Sequence, residues 1–269
     1  MIDPRALARE LHDARANKAS VTAPTTRDGG LDLATAYATE AELVRLRQES
    51  GRCAVGLKVG FANKAMWRAL KLDTLVWAHI YDDTVSYAES DHATVSISKM
   101  YAPKIEPEIV FKLKSELPAD TDAAGVLEAV EWIALGFEII DCAYPDWKFT
   151  PVDFVASYGL HAGLVVGTPL RFTADQIPAL VDQLAAFTVS LQKNAAVAAQ
   201  GAGTNSLRSP ALCLAELSSA TAKVGAHLGT GDLVSSGTLT EAQLIAAGDT
   251  FTAVVEGLNV APLTARIIA

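Results

Sequence analysis

The segment KIEPEIVFKL, residues 104–113, has the composition of a buried β-strand and yet contains two carboxylates. Side chains alternate between the two faces of a strand, so Glu106 and Glu108 lie on one face and most of the apolar residues on the other. Neighbouring like charges repel each other, and they persist when water, basic side chains or a cation neutralise them. A divalent metal would account for this pair.

An exposed strand is the alternative explanation. Pro107 separates the two glutamates, and proline prefers the edges of sheets because it has no N–H to donate to a ladder. A solvated edge strand would leave both carboxylates in water, where acidic side chains are common. The segment alone therefore leaves a metal site and a solvated edge both open.

Composition favours a globular protein that acts on a small molecule. Of the 269 residues, 50% are hydrophobic and 20% are charged, which suits one large domain or two small ones. The net charge is −9, from 22 basic and 31 acidic residues. Nucleic-acid-binding proteins usually display a basic patch, and none is visible in this sequence. We therefore expect a small-molecule substrate, with another subunit as the other possible partner.

We expect a cytoplasmic protein without a membrane segment. The start, MIDPRALARELHDAR, lacks the apolar core of a secretory signal, and no stretch approaches the ~18 apolar residues of a membrane span. Cys53, Cys142 and Cys213 show no CxxC spacing and are typical of buried thiols in a reducing compartment.

Helical patterning is limited to a few segments. We predict a helix over residues 3–16, a second one that is capped by Asp32 and ended by Gly51, and further helices near residues 122–132 and 210–228. Between them lie short β-prone runs such as CAVGLKVGF, VWAHIYDDTVSYA, EWIALGFEIID and LHAGLVVGTPL.

The order of these elements is not a regular βαβα series. We therefore predict an α+β fold with a mixed or antiparallel sheet system. Residues 1–80 would form a helical N-terminal segment and the first strands, and residues 81–269 a β-rich catalytic domain. We expect the two parts to form one compact unit.

Lys58 lies in GLKVG, residues 56–60, between two glycines of the same strand face. That face offers little side-chain bulk, so a ligand would have room to approach the lysine. A partly desolvated ammonium can bind an anion or move a proton. The alternative is a lysine that extends from the end of the strand into water.

Glu138 lies in GFEIID, residues 136–141, and is a third carboxylate inside an apolar strand. If Phe137 and Ile139 pack into the core, Glu138 faces the opposite way. With the first two glutamates it would form an all-oxygen site of the kind that hard divalent cations accept. Pairing with a basic side chain such as Lys148 is the alternative.

Two histidines are candidates for acid–base chemistry. His79, in VWAHIYDD, and His161, in SYGLHAG, lie among apolar or small residues. A hydrogen-bonded core histidine is the commoner outcome for each. The glycine-rich GAGTNS, residues 201–206, lacks the third glycine of a dinucleotide-binding loop, so we reject a Rossmann fold.

Four segments resemble those of one known family. The chain is similar to the 2-keto-4-pentenoate hydratase and 4-oxalocrotonate decarboxylase branch of the fumarylacetoacetate hydrolase superfamily in GLKVGFANKAM, KIEPEIVFKLKSELP, GFEIIDCAYPDW and LGTGDLVSSGTLT, in that order. The E-x-E pair with a later glutamate is the most specific part of the resemblance. It implies a mixed β-sheet roll or sandwich, and also a homo-oligomer.

The resemblance also implies a metal and a substrate class. Glu106, Glu108 and Glu138 correspond to the glutamates that hold Mg²⁺ or Mn²⁺ in the family. The implied substrates are 2-oxo or 2-hydroxydienoic acids, which chelate the metal so that it polarises the C2 carbonyl and stabilises an enolate. Lys58 corresponds to the lysine of the family's GxKxG segment. We expect it to bind the substrate and to transfer a proton, provided that burial and the metal lower its pKa.

The chain departs from the family around the substrate. The family's Pro-Asp pair is missing from LVWAHIYDD, which removes an expected acid, and its Asp-Asn-x-Ser run is replaced within SYGLHAG. Ser157 and Tyr158 are therefore candidate substrate contacts. His79 or His161 would serve as the replacement acid–base residue, for a bulkier or more apolar substrate.

Hydration is the reaction that we favour, and three alternatives remain. A decarboxylase of an oxalocrotonate-type acid would use the same enolate, because loss of CO₂ also leaves negative charge on the C2 oxygen. Hydrolysis of a carbon–carbon bond in an acylpyruvate ranks lower, since no adjacent His–Glu motif occurs near the N-terminus. A non-catalytic binding protein ranks last, because it would have little reason to keep three inward carboxylates.

Overall fold

The computed structural model describes residues 2–269, which fold into two β-sheets with flanking helices. The helices are α1 (Pro4–Ala16), α2 (Leu33–Glu49), α3 (Lys64–Leu70), α4 (Ala123–Glu128), α5 (Pro151–Ala156), α6 (Ile177–Ala186) and α7 (Pro210–Ala222). The strands are β1 (Ala54–Gly60), β2 (Val76–Tyr81), β3 (Val85–Tyr87), β4 (His92–Ser96), β5 (Pro103–Leu113), β6 (Val130–Asp141), β7 (His161–Val166), β8 (Leu170–Arg171), β9 (Thr188–Lys193), β10 (Ala196–Ala202), β11 (Leu233–Ser235), β12 (Gln243–Leu244), β13 (Thr250–Glu256) and β14 (Leu263–Ile268).

The larger sheet has the strand order β2-β1-β11-β5-β6-β7-β3, with β12 paired to β5 and β8 to β6. Its pairs are antiparallel except for β1 with β11 and β3 with β7. The smaller sheet has the order β10-β9-β13-β14-β4. The predicted α+β fold with mixed sheets is confirmed. The division at residue 80 stays a prediction, although β1 and β2 belong to the same sheet as β5 and β6.

β5 is a central strand, and the edge-strand alternative is wrong. It pairs with β6 along its length and with β11 and β12 on its other side. Pro107 falls between these two short strands, where its carbonyl oxygen accepts the backbone N–H of Leu239 at 2.9 Å. The N–H and C=O of one strand residue point to the same side, so the missing N–H of Pro107 costs no bond to β6.

The predicted alternation of faces is confirmed on both central strands. Ile105, Ile109 and Phe111 of β5 are fully buried in the main core. Phe137 and Ile139 of β6 join the same core. The three glutamates of these strands therefore share the opposite face of the sheet.

The helix predicted for residues 122–132 is correct only in its first half. Asp122 accepts the backbone N–H of Gly125 as an N-cap, and α4 ends after two turns. Trp132 lies on β6, because antiparallel pairing with β5 already begins at Val130. Tertiary pairing overrides the helical pattern of this short apolar run.

The other helix predictions differ mainly at their ends. The two N-terminal helices and the predicted cap, Asp32, are confirmed, and the structure adds Asp3 as the N-cap of α1. The helix predicted for residues 210–228 ends at Ala222, and Gly225 follows with a φ of 73°. The sequence reasoning also missed α3, α5 and α6. Within residues 2–269, no helix is long and apolar enough to cross a bilayer.

Gly56 provides a test of the strand packing beneath the site. Its φ is +152°, and a Cβ would lie 1.9 Å from the carbonyl oxygen of Leu233 on β11. Because that atom is backbone, we expect Gly56→Ala to lower the free energy of unfolding by about 2 kcal/mol or more in urea titrations. Gly229→Ala is the matched control, since a Cβ there meets nothing within 4 Å. Equal stability of the two variants would contradict this packing.

Candidate metal centre and active site

β5 and β6 bring three carboxylates together. Glu106 lies directly opposite Glu138 in the antiparallel register, and Glu108 follows two residues along β5. One oxygen from each carboxylate lies within 4.8 Å of the others. Glu108 and Glu138 are 0% exposed, and Glu106 is half-buried. Lys148, the alternative partner of Glu138, instead pairs with Asp146 at the surface.

The carboxylate oxygens left without partners fit a hard cation. Glu108 Oε2 accepts the hydroxyl of Ser235 at 2.5 Å and the backbone N–H of Gly237 at 2.8 Å, whereas its buried Oε1 has no hydrogen bond. Glu138 Oε2 also lacks a hydrogen bond and has only an ion pair with Lys58. Buried anionic oxygens without partners are costly. An all-oxygen set is what Mg²⁺ and Mn²⁺ prefer, so these residues fit the expected metal.

The electrostatics of the cluster favour protonation when no cation is present. Burial is the main factor that raises the pKa of all three carboxyl groups, and Lys58 opposes it. The pKa of Glu106 rises to about 8, with the charges of Glu108 and Glu138 adding to the effect of burial. A proton and a cation therefore compete for the same oxygens.

Lys58 points from β1 at the three carboxylates. Its Nζ lies 3.0 Å from Glu138 Oε2, donates to the carbonyl oxygen of Gly159 at 3.0 Å and lies 4.7 Å from the centre of the Phe154 ring. The residue is 2% exposed, so the alternative of a lysine extended into water is wrong. Burial acts to lower its pKa, as we expected, but the charges of the glutamates outweigh burial and raise the pKa of Lys58. The side chain is an ammonium ion.

The space beside the two glycines of β1 is filled by protein. A Cβ at Gly60 would lie 2.3 Å from Phe154, and Gly56 is pressed against the backbone of β11. Gly159 adopts a φ of +57°, and a Cβ there would lie 2.9 Å from the Cδ of Lys58. The expected room on this strand face is therefore absent, and a ligand reaches Lys58 from a neighbouring cavity.

That cavity has a volume of about 820 Å³ and is lined by both Lys58 and Glu106. Its apolar wall includes Phe61, Phe149, Phe154, Ile140 and Leu160. Its polar lining includes Lys64, Asn205, Arg208, Thr238 and Glu241. The site thus joins a charged cluster to an apolar chamber, which suits an acid with an unsaturated carbon chain.

The structure places His161 beside the cluster but outside the cavity lining. It is 1% exposed, and its Nδ1 lies 2.9 Å from Glu138 Oε1. Its Nε2 lies 2.9 Å from the Oγ1 of Thr84. Burial, followed by the charges of Arg15 and Lys58, holds the pKa of His161 well below its usual value.

His79 lies away from the three carboxylates. It pairs with Leu57 in the register of β1 and β2, so it occupies the face opposite to Lys58. Its Nδ1 lies 2.7 Å from Glu40 Oε1, and its backbone N–H donates to the same oxygen. The structure therefore does not bring the two predicted acid–base histidines together.

Ser157 and Tyr158 line a separate small cavity beside α1. The hydroxyl of Tyr158 lies 2.7 Å from the Nδ1 of His12, and the guanidinium of Arg15 lies 4.9 Å from the centre of its ring. Within SYGLHAG, the residues that reach the cluster or its cavity are Gly159, Leu160 and His161. The structure thus does not place the two predicted substrate contacts on the cavity of the carboxylates.

The sequence reasoning missed the residues that hold Glu108 and those that shape the cavity. Ser235 and Gly237 belong to the segment LVSSGTLT, in which the family resemblance implies no role for a side chain or a backbone N–H. Phe154 and Phe149 come from α5 and the loop before it, which carried no recognised pattern. Phe61 lies within GLKVGFANKAM, and Phe149 lies two residues after GFEIIDCAYPDW, so proximity to these segments is the one sequence signal for the aromatic wall.

Comparison with known proteins decides the family. A family model described as fumarylacetoacetate (FAA) hydrolase C-terminal matches residues 70–267, which is more than half of the chain. The chain belongs to the fumarylacetoacetate hydrolase family. The resemblance found in the sequence is thereby confirmed.

Members of the hydratase and decarboxylase branch match almost the full chain. A 4-oxalocrotonate decarboxylase of Pseudomonas sp. (strain CF600) is 29% identical over 254 residues, 94% of this chain and 93% of that relative. A 2-hydroxyhexa-2,4-dienoate hydratase of Comamonas testosteroni is 29% identical over 250 residues, 93% and 92% of the two chains. The structure of 4-oxalocrotonate decarboxylase from Pseudomonas putida G7, complexed with magnesium and adipate, superposes with a TM-score of 0.88 at 27% identity and covers 98% of this chain and 97% of that one.

Because protons and a cation compete for the same carboxylate oxygens, we expect the thermal stability of the protein to depend on pH. Between the ordinary pKa of a glutamate, 4.5, and about 8, folded Glu106 keeps a proton that the unfolded chain has lost. The metal-free protein should therefore lose stability as pH rises through this window, and the rise in melting temperature on adding Mn²⁺ should grow with pH. Thermal unfolding from pH 6.5 to 8.5, in EDTA and in Mn²⁺, measures both effects. A Mn²⁺-induced shift that stays constant over this range, or that Glu106→Gln leaves unchanged, would contradict the prediction.

Proposed function

We propose that this protein is a divalent-metal-dependent lyase that acts on a 2-oxo or 2-hydroxydienoic acid, with hydration as its main reaction. The observation that carries the proposal is the meeting of three carboxylates and a charged lysine beside one largely apolar cavity. Near full-length similarity to a dienoate hydratase and to decarboxylases supports the substrate class.

Glu106, Glu108 and Glu138 would hold the cation, either Mg²⁺ or Mn²⁺. When bound there, it would supply Lewis-acid polarisation of the substrate's C2 oxygen. Ser235 and the backbone N–H of Gly237 fix one oxygen of Glu108 and leave the other free. Glu108 is thus oriented before the cation and the substrate bind.

Lys58 would bind the acid and stabilise the charge that develops on it. Its ammonium has three N–H donors, of which one is used on the carbonyl oxygen of Gly159 and one faces Glu138. The third is free for a substrate carboxylate or C2 oxygen in the cavity that Lys58 lines. During hydration the dienol is protonated to a 2-oxo-3-enoate and water adds at C4. The charged Lys58 is our first choice for the group that supplies and recovers a proton.

The aromatic wall would hold the carbon chain and exclude water from the C2 end. Phe61 packs edge-on against Phe154, with 5.3 Å between their ring centres, and Phe149 lies beside them. Such a wall favours a conjugated, apolar chain over a short polar one. It fits the bulkier or more apolar substrate that the sequence departures predict.

Decarboxylation of a diacid is the second candidate function. The TM-score of 0.88 with a 4-oxalocrotonate decarboxylase favours it. Arg208 and Lys64 also line the cavity, where they could bind a second carboxylate at the far end of the chain. When CO₂ leaves, the electron pair of the broken bond is delocalised onto the C2 oxygen, which Lys58 stabilises as in hydration.

A homo-oligomer and a cytoplasmic location also stay predictions.

Product analysis decides between the two reactions. We expect turnover of 2-hydroxydienoates, oxalocrotonate-type diacids or both in Mg²⁺ or Mn²⁺, and none after EDTA treatment. Gain of water identifies the hydratase by product mass, and loss of CO₂ identifies the decarboxylase. Cleavage of an acylpyruvate into two acids would instead favour the hydrolase, and no turnover in either metal would contradict the proposal.

Glu106→Gln should lower kcat/KM by on the order of 10²–10³-fold, because it removes one anionic ligand while keeping the shape of the side chain. Glu131→Gln is the matched control. Glu131 also lies on a central strand, but it forms an ion pair with Arg171 at the surface and does not line the cavity. Its kcat/KM should stay within about twofold of the wild type.

A further inference from the structure

His161 contacts Glu138 of the cluster and does not line the cavity. Its ring is fully buried and lies between Glu138 and Thr84, at 2.9 Å from each. The ring nitrogen that faces Glu138 contacts Oε1, whereas Lys58 contacts Oε2. The two oxygens of one carboxylate are therefore held by different partners.

A local irregularity in β7 puts the histidine on this face. Glu138 pairs with Leu164 and Ile139 with Gly163, but Ile140 pairs with His161, so Ala162 has no partner on β6. One extra residue in a strand turns the following side chain onto the other face, a device that often re-aims side chains near active sites. In a regular register Ala162 would occupy the Glu138 face and His161 would point away from the carboxylates.

We propose that His161 is a positioning residue that orients Glu138 for cation binding by donating Nδ1–H to Oε1. This inference rests on the proposed metal site. With Oε1 fixed, the side chain of Glu138 loses rotational freedom, and Oε2 stays directed at Lys58 and at the other carboxylates. With Nδ1–H donated to Glu138, the Nε2 of the neutral ring accepts the hydroxyl of Thr84, which fixes the ring from the opposite side. In this tautomer the hydroxyl proton of Thr84 points at the ring and not at the carbonyl oxygen of Tyr81, which lies 2.8 Å from Oγ1.

The geometry separates this role from direct acid–base catalysis. A general acid or base must come within hydrogen-bond distance of the proton that it transfers. Both nitrogens of His161 already face protein groups, and the ring does not line the cavity. A substrate there meets Lys58 and Glu106 instead. His161 therefore acts through Glu138.

The affinity for Mn²⁺, measured by isothermal titration calorimetry on the full chain without substrate, tests this role. His161→Ala should raise the Kd by about 10–100-fold, as expected when the partner of a metal ligand is lost. His161→Asn should bind within about threefold of the wild type, since its amide N–H2 can take the place of Nδ1–H. Thr84→Val keeps the histidine but removes the hydrogen bond at its Nε2. It should therefore raise the Kd by a factor between those of His161→Asn and His161→Ala.

His79→Asn is the matched control. His79 forms an equivalent pair with Glu40, at 2.7 Å, on the other face of the sheet. The Kd of His79→Asn for Mn²⁺ should equal that of the wild type. If His161→Ala does not fold, Thr84→Val and His161→Asn decide the question. The proposal would be overturned if Thr84→Val bound Mn²⁺ with the Kd of the wild type. It would also be overturned if His161→Ala folded and its Kd lay within twofold of the wild-type Kd.

The pH profile of kcat distinguishes positioning from catalysis by His161. Positioning predicts that His161→Asn keeps the shape of the wild-type profile at saturating Mn²⁺. Loss of one limb of the profile, with unchanged metal affinity, would show that His161 transfers protons and would overturn the proposal. Failure of the proposed function looks different: the wild type would bind Mn²⁺ and turn over none of the acids, while the affinities of the His161 variants would still differ.

Discussion

Three carboxylates of neighbouring strands share one buried corner of the sheet, and like charges at that spacing need a counter-charge to stay ionised together. Lys58 supplies one positive charge, which leaves the cluster with an excess of negative charge or with bound protons. The surrounding residues fix the positions of the three carboxylates. Ser235 and Gly237 hold Glu108, a bulge in β7 directs a histidine at Glu138, and the cavity opens beside the half-buried Glu106.

The sequence predicted which face of its strand each central site residue occupies, because that depends on strand periodicity. Alternation along KIEPEIVFKL and GFEIID places all three glutamates opposite the apolar core, and the structure has them there. Lys58 follows from the same rule on β1. Pairing between β5 and β6 then joins these local patterns into one cluster. Periodicity left that meeting open, and the family resemblance implied it by assigning the three glutamates to one metal.

Features that depend on irregular backbone or on distant packing were not predictable. The unpaired Ala162 changes the side of the sheet that His161 faces. Gly163 in SYGLHAG is compatible with a bulge, but a glycine alone does not give its position or the face of the residues before it. Tyr158 lies in the left-handed region with a φ of 56°, and it packs on α1. The sequence predicted Tyr158 as a substrate contact from its position in the motif, and the motif does not reveal the left-handed backbone that turns the side chain to α1. The raised pKa of Lys58 likewise reflects three charges that meet only in the fold.

The central claim is that the three glutamates are the ligands of one divalent cation. A crystal of the protein grown with Mn²⁺, measured on the low-energy and high-energy sides of the manganese absorption edge, tests it most directly. The account predicts one strong anomalous peak at bonding distance from an oxygen of Glu106, of Glu108 and of Glu138, about 2.0–2.3 Å for a small divalent cation. An anomalous peak elsewhere, or a salt bridge from Lys58 to Glu138 with no peak beside it at saturating Mn²⁺, would contradict the account.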